Sequence, residues 1–146
     1  MPRRFTLAEA RRLLPKVDPL VREAIDVKAE YQEAERGVQS LHTQVMLMGG
    51  MVVDRGRALQ ARAGRERAAQ KLKDAIGRIQ EIGCEVKDLD TGLIDFRTLF
   101  HGREVYLCWK LGEPDIAFWH GLEDGFRGRQ PIDQDFLDNH HGDRPQ

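Results

Sequence analysis

The clearest pattern in the chain is a run of apolar residues that starts at Leu20 and alternates steps of four and three. Its members are Leu20, Ala24, Val27, Tyr31, Ala34, Val38, Leu41, Val45 and Met48. This spacing is that of the seam of a left-handed coiled coil. It predicts a helix over residues 19–48, roughly 45 Å long at the rise of an α-helix.

A shorter helix is predicted ahead of this seam. Thr6 and Glu9 have the spacing of a capping box, in which each side chain accepts a hydrogen bond from the backbone N–H of the other residue. We expect this helix to cover residues 7–14, because Pro15 has no N–H and disfavours helical geometry in the preceding residue. The pair Asp18-Pro19 is typical of a new helix start.

A further helix is predicted over residues 57–82, after a connecting loop over residues 49–56. Its apolar stripe consists of Ala69, Leu72, Ala75, Ile76, Ile79 and Ile82. Gly83 follows, at the position where glycine ends many helices. Residues 1–83 should therefore form a long antiparallel helical hairpin with a short N-terminal helix. Since two helices bury only one seam, we expect the following residues or a second copy of the chain to cover the remainder.

Four strand-like runs follow the helical part. They are Cys84–Leu89, Gly92–Phe96, Glu104–Lys110 and Asp115–His120. Connections this short join antiparallel neighbours, which predicts a small meander of three or four strands that packs on the helices in the same domain, over residues 84–133. Residues 134–146 are polar and are expected to form a flexible tail. The predicted fold class is therefore α+β.

Several strings of the chain carry a resemblance to a known family. They are FTLAEARRLLP near the N-terminus, then EVKDLDTGLIDF, GREVYLCWKLGEPDIAFWH and GFRGRQPID between Glu85 and Asp133. They resemble an uncharacterised bacterial family known as domain of unknown function 2203. The resemblance covers nearly the whole chain and agrees with an α+β fold. That family has no established activity, so the resemblance implies no catalytic or binding residues.

Composition narrows the class of protein. Charged residues make up 32% of the chain and hydrophobic residues 40%, which fits neither a membrane protein nor a disordered chain. No apolar run is long enough for a membrane span, and no apolar core follows the basic N-terminus as in a secretory signal. Cys84 and Cys108 are too few for a disulfide framework. These features predict a reduced, cytoplasmic protein.

The net charge of −1 hides a division along the chain. Residues 1–83 carry 16 basic and 11 acidic side chains, whereas residues 84–146 carry 7 basic and 13 acidic ones. The two halves can therefore attract each other within one chain or across a homodimer formed through the helical half. Five arginines lie close together near the start of the second long helix: Arg55, Arg57, Arg62, Arg65 and Arg67. We expect them to face solvent or the acidic half of a dimer mate rather than nucleic acid.

One candidate metal site is the turn that contains Asp88 and Asp90, together with Asp95. Three carboxylates offer hard oxygen ligands for a divalent cation. Their spacing fits neither an EF-hand loop nor the Asp-x-Asp-x-Thr phosphatase motif, and an Asx-type turn is the simpler explanation. The sequence is compatible with a divalent metal but requires no cofactor. A soft-metal site of Cys84, Cys108 and His120 lacks the paired spacing of such sites.

A candidate catalytic site lies near the end of the last predicted strand. His120 is suited to general base catalysis, with Asp95, Asp88 or Glu113 as its carboxylate partner. Trp109 and Trp119 are expected to flank the same region. The alternative is that the aromatic residues form the core of the sheet and that His120 donates a structural hydrogen bond.

A candidate anion site follows in a glycine-rich segment. Arg127 and Arg129 have the chemistry to clamp a phosphate or carboxylate, and equally to pair with acidic residues of their own half.

Two functions follow from these patterns. The first is a dimeric scaffold or binding module whose acidic, aromatic half binds a protein or a small ligand, which the long heptad seam favours. The second is a small hydrolase-like enzyme in which His120 acts with a carboxylate and Arg129 holds an anion, which the crowding of chemically active residues into residues 84–133 favours. We favour the first.

Overall fold

Two long helices followed by an antiparallel sheet make up the computed structural model, which describes residues 2–47 and 55–143. The predicted α+β class is confirmed. The chain divides into two units. One consists of Met1–Arg22 and Gly77–Gln146 and contains the sheet, and the other is the helical hairpin Glu23–Ile76.

The first helix, α1, runs without interruption over Leu7–Leu47. The predicted break at Pro15 is wrong, because Pro15 and Pro19 both lie inside α1. Both prolines are exposed, so solvent can satisfy the carbonyl groups that lose their helical N–H partners. On the opposite side of the helix Val17 and Val21 are completely buried, and their burial offsets the unfavourable effect of the prolines.

The second helix, α2, spans Arg55–Ile82 and ends as predicted at Gly83, whose φ is +107°. In the hairpin unit Ala24, Val27 and Ala75 are buried. Later seam residues of α1 and earlier ones of α2 are only half-buried: Tyr31, Ala34, Val38, Leu41, Val45, Ala58, Ala61, Arg65, Ala68 and Leu72. The seam therefore passes through Ala68, and the prediction of Ala69, which is exposed, is wrong. Met48 and residues 49–54 of the predicted loop lie outside the described residues.

Six strands form one antiparallel sheet. They are β1 (Glu85–Asp88), β2 (Leu93–Phe100), β3 (Arg103–Lys110), β4 (Phe118–Gly121), β5 (Gln130–Pro131) and β6 (His140–His141). The order is β1-β2-β3-β4-β5, and β6 pairs with the end of β2. The first four correspond to the predicted runs. The prediction of three or four strands was too low, because strands of two residues have no alternating pattern to reveal them.

One face of the sheet forms the core of its unit. The facing pairs Ile94–Trp109 and Phe96–Leu107 on β2 and β3 are all buried. Phe5, just ahead of α1, packs edge-on against Phe96 with ring centroids 5.3 Å apart. Successive residues of a strand point to opposite faces, so the intervening residues belong to the other face.

The capping box at the start of α1 is present as predicted. Thr6 N donates to Glu9 Oε1 over 3.0 Å, and Glu9 N donates to Thr6 Oγ1 over 3.1 Å.

Residues 134–143 fold, where the sequence predicted a flexible tail. A short helix, α3, spans Gln134–Asn139, and its cap Asp133 accepts a hydrogen bond from the N–H of Phe136 over 2.9 Å. Phe136 is completely buried and stacks on Trp119. His140 Nε2 accepts a hydrogen bond from Leu7 N over 3.0 Å, which ties this end of the chain to the start of α1. Phe136, an aromatic residue in a mostly polar stretch, was the signal in the sequence for this fold.

Candidate functional site

The face of the sheet opposite the core brings together Asp95, Cys108 and His120. Asp95 on β2 lies directly opposite Cys108 on β3. His120 on β4 lies opposite Tyr106, two residues before Cys108 and therefore on the same face. One potential ligand atom from each of the three residues lies within 4.8 Å of the others. Three adjacent strands thus contribute one polar side chain each to a single cluster.

This cluster is closed to solvent and contains an acid and a base in contact. Asp95 is 1% exposed, Cys108 0% and His120 2%. Asp95 Oδ2 and His120 Nε2 are 3.0 Å apart. The angles at these two atoms do not suit a hydrogen bond. Among the described residues, no hydrogen-bond partner is aligned with either oxygen of Asp95 or with Nε2 of His120. The other ring nitrogen, Nδ1, lies 2.8 Å from the carbonyl oxygen of Gly121.

Burial and charge act on the protonation of the cluster. Burial lowers the pKa of His120, but the Asp95 carboxylate and the Gly121 carbonyl outweigh it, so the net pKa is raised above 6.5. Burial raises the pKa of the Cys108 thiol to about 12, and the negative charge of Asp95 adds to the effect. Without a bound cation Cys108 is therefore a neutral thiol at physiological pH.

The predicted partner Glu113 and the predicted anion-binding residue Arg129 pair with each other. Arg129 Nη2 donates to both carboxylate oxygens of Glu113, over 2.7 and 2.9 Å. The guanidinium group also covers the rings of Phe118 and Phe126, with its central carbon 4.1 and 4.7 Å from their centroids. Arg127 is exposed in the 3₁₀ turn Phe126–Gly128. Arg129 thus has an internal carboxylate partner, which was the alternative left open by the sequence.

Trp109 and Trp119 lie on the core face and do not flank His120, contrary to expectation. Trp109 is 1% exposed, and its Nε1 donates to the carbonyl oxygen of Glu113 over 3.0 Å. Trp119 packs against Phe100, with ring centroids 5.0 Å apart, and is half-buried. Alternation along β3 and β4 explains the outcome, since each tryptophan is adjacent in sequence to a residue of the cluster.

The predicted carboxylate turn is not assembled as one site. Asp88 and Asp90 are exposed, and Asp90 N donates to Asp88 Oδ1 over 3.0 Å, which is the Asx-type turn that was the simpler explanation. Asp95 faces the buried cluster instead. Cys84 lies outside the cluster as well, and its thiol contacts the carbonyl oxygen of Ile79 at 3.4 Å.

A family model described as an uncharacterized conserved protein (DUF2203) matches residues 3–132, which contain both long helices and strands β1 to β5. The chain belongs to this family. No curated protein and no solved structure matches it. In this DUF2203 chain, no helix of the described residues has the length and apolar character needed to span a membrane.

An ionic network continues along the cluster face of the DUF2203 sheet. Arg97 Nε donates to Glu85 Oε2 over 2.8 Å, and Arg97 Nη1 donates to Glu104 Oε2 over 3.0 Å. Arg4 Nη2 donates to the other oxygen of Glu104 over 3.0 Å. The network links β1, β2 and β3 with the N-terminal segment. The sequence does not reveal this network, because the pairing register of the strands decides which of the many charged side chains meet.

Glu85 makes this network sensitive to pH. Burial raises the pKa of Glu85, but Lys87, Tyr106 and Arg97 outweigh it, so the net pKa lies below its ordinary value of 4.5. A lowered pKa contributes stability above the unfolded pKa, and this contribution is lost as the pH falls through the folded pKa. We therefore expect Glu85→Gln to flatten the acid side of the stability profile below about pH 5.

The measurement is urea unfolding at a series of pH values for the wild type and the variant. Glu123→Gln, the same change at an exposed position, serves as control and should keep the wild-type slope. Equal acid slopes for wild type and Glu85→Gln would contradict the role of Glu85.

Proposed function

We propose that the protein is a dimeric binding module, in which the helical hairpin joins two copies of the chain and the sheet unit carries a ligand-binding surface. The observation that carries this proposal is the incomplete burial of the hairpin seam. Ala24 and Val27 are buried, yet the seam from Tyr31 onward is half-buried in one chain. An isolated pair of helices leaves apolar surface in water, whereas a four-helix arrangement covers it.

An open groove marks the part of the hairpin that a second copy would cover. It has a volume of about 550 Å³ and is lined by the apolar residues Val38, Leu41, Val45, Ala58 and Ala61 and by the polar residues Gln39, His42, Arg62 and Arg65. Large apolar side chains beside it are exposed: Met46 by 69%, Leu47 by 82% and Leu59 by 66%. Exposed apolar surface of this kind marks interaction sites in soluble proteins.

Charge complementarity favours a second copy of the same chain as the occupant. Residues 23–47 of α1 carry 5 acidic and 2 basic side chains, whereas residues 55–76 of α2 carry 2 acidic and 7 basic ones. Within the hairpin Lys71 pairs with Glu30 at 3.0 Å, and Arg65 approaches Glu35 at 3.9 Å. A twofold arrangement would place the acidic helix of each chain beside the basic helices of both chains, which extends the same pairing.

A cleft on the sheet unit supports the binding part of the proposal. Its lining combines the aromatic residues Phe100 and Trp119 with Leu122, with the carboxylates Glu123 and Asp124 and with the basic residue Arg103, in a volume of about 750 Å³. Leu122 is 44% exposed. An aromatic wall with carboxylates at the rim suits a ligand or peptide that has an apolar body and a positive charge. Trp119, a ligand-binding candidate from the sequence, lines this cleft, and we propose that it contacts the ligand.

The hydrolase alternative has less support. A general base must come within hydrogen-bond distance of the substrate, but His120 and Asp95 are 2% and 1% exposed. Glu113, the other carboxylate candidate, is engaged by Arg129.

A matched pair of variants tests the hairpin as the dimer interface. Leu59→Glu places a charge at an exposed apolar position beside the groove, and we expect it to weaken dimerisation at least tenfold, because a charge would be taken out of water. Gln60→Glu introduces the same charge at the neighbouring exposed position, where we expect no more than a small change. Sedimentation velocity over a range of protein concentrations gives the dissociation constants. Equal dissociation constants for the two variants would overturn the proposed interface.

A further inference from the structure

The buried cluster of Asp95, Cys108 and His120 has no explanation in the dimer or in the ligand cleft. It places a carboxylate, a thiol and an imidazole on one face of the sheet, with one atom of each within 4.8 Å of the others. Buried polar groups are normally hydrogen-bonded, because an unpaired one is costly away from water. Both oxygens of Asp95 and Nε2 of His120 nevertheless lack an aligned partner among the described residues.

The contact made by Nδ1 of His120 determines what its other nitrogen offers. The carbonyl oxygen of Gly121, 2.8 Å away, can only accept, so Nδ1 carries the proton. In the neutral imidazole, Nε2 then presents its lone pair toward Asp95 Oδ2 at 3.0 Å. Two lone pairs at this distance repel unless a positive centre lies between them, which is a proton on Nε2 in the metal-free protein and a metal ion in the loaded one. A metal-bound histidine commonly has this arrangement, with the remaining N–H donated to a backbone carbonyl.

The donor set selects a class of cation. Sulfur, nitrogen and oxygen in one site suit a borderline ion such as Zn²⁺, which binds cysteine, histidine and carboxylate ligands. In a tetrahedral zinc site, ligand nitrogen and oxygen atoms lie roughly 3.3 Å apart, close to the observed separation of Asp95 Oδ2 and His120 Nε2. An ionised Asp95 and a thiolate at Cys108 together balance the two positive charges of the ion. The loaded site is then neutral, which suits its burial.

We propose that Asp95, Cys108 and His120 are the protein ligands of a divalent, zinc-type metal ion. The ion binds Asp95 Oδ2, Cys108 Sγ and His120 Nε2. The thiol proton of Cys108, and the Nε2 proton of any His120 that is charged, leave to solvent as the metal–sulfur and metal–nitrogen bonds form. Three protein ligands leave a fourth position for a water molecule. The neighbouring Arg129 is neutralised by Glu113, so it adds little repulsion toward the ion.

The two cysteines of the chain provide a matched control. Cys84 and Cys108 are both buried free thiols, 3% and 0% exposed, but only Cys108 belongs to the cluster. Changing either one to alanine removes one buried sulfur atom. Only Cys108→Ala should affect metal binding.

The test titrates the full chain, freed of metal by a chelator, with Co²⁺ and in a second series with Zn²⁺. Tetrahedral Co²⁺ bound to a thiolate gives a sulfur-to-cobalt charge-transfer absorption together with visible d–d bands. We expect one ion per chain, both absorptions in the wild type and in Cys84→Ala, and displacement of Co²⁺ by Zn²⁺. Cys108→Ala should lose the charge-transfer absorption and bind at least about 100-fold more weakly. Asp95→Asn should also bind more weakly while retaining the charge-transfer absorption.

Three results would overturn the proposal. The first is a folded wild-type chain that binds neither ion at a stoichiometric level. The second is binding without the charge-transfer absorption. The third is an absorption that survives in Cys108→Ala and is lost in Cys84→Ala. The wild-type titration decides the matter even if a variant fails to fold, and circular dichroism of each variant shows whether it has folded.

Discussion

Replacing His120 by leucine is expected to lower the free energy of unfolding by about 3–5 kcal/mol. The change leaves the carboxylate of Asp95, 1% exposed, without the cationic partner that lies 3.0 Å away. A buried charge without a partner is strongly destabilising, because desolvation is no longer offset by the attraction within the pair. The measurement is urea unfolding at neutral pH in the presence of a chelator, so that metal binding makes no contribution.

The double variant Asp95→Leu with His120→Leu is the decisive comparison. Replacing both members of a buried ion pair by apolar side chains of similar total volume is often close to neutral. We therefore expect the double variant to recover most of the stability that His120→Leu loses. If the two single changes simply add, with no coupling energy between them, Asp95 and His120 do not form an energetically linked pair.

Trp109→Ala is the second change with a large expected effect, also about 3–5 kcal/mol. Trp109 is 1% exposed on the core face, opposite Ile94 on β2. Its removal leaves a cavity and also leaves the carbonyl oxygen of Glu113 without the indole N–H that it accepts over 3.0 Å. The loss of packing and the loss of this hydrogen bond act in the same direction.

The measurement is thermal and urea unfolding of Trp109→Ala, with Phe126→Ala as the control. The comparison distinguishes the loss of core packing from the general effect of losing an aromatic ring. Phe126 is 42% exposed, so its removal should cost about 1 kcal/mol or less. Similar losses for the two variants would show that Trp109 does not have the core packing role described for it.

The sequence predicted those parts of the fold that depend on local pattern. The heptad seam, the capping box of Thr6 and Glu9, and the end of α2 at Gly83 each rest on spacings of a few residues. The break at Pro15 was predicted by the same local logic and was wrong. The burial of Val17 and Val21 on the other side of the helix is a tertiary effect, and it outweighs the local preference of proline.

The site shows where local pattern is insufficient. Asp95 and His120 were recognised as a possible acid and base, but Cys108 was grouped with Cys84 and His120 rather than with Asp95. The register of β2 against β3 places Cys108 beside Asp95, and a shift of one residue would have turned it into the core. The pairing of Glu113 with Arg129 likewise depends on how the segment after β4 folds back, and no sequence spacing reveals it.

The hairpin as a dimer interface is the central claim, and the mass of the full wild-type chain in solution tests it most directly. Sedimentation equilibrium at several protein concentrations gives this mass without assumptions about molecular shape. The proposal predicts twice the chain mass of 16.7 kDa, with dissociation toward the single-chain value only on dilution. A mass of 16.7 kDa at every concentration, for a chain shown to be folded, would contradict it.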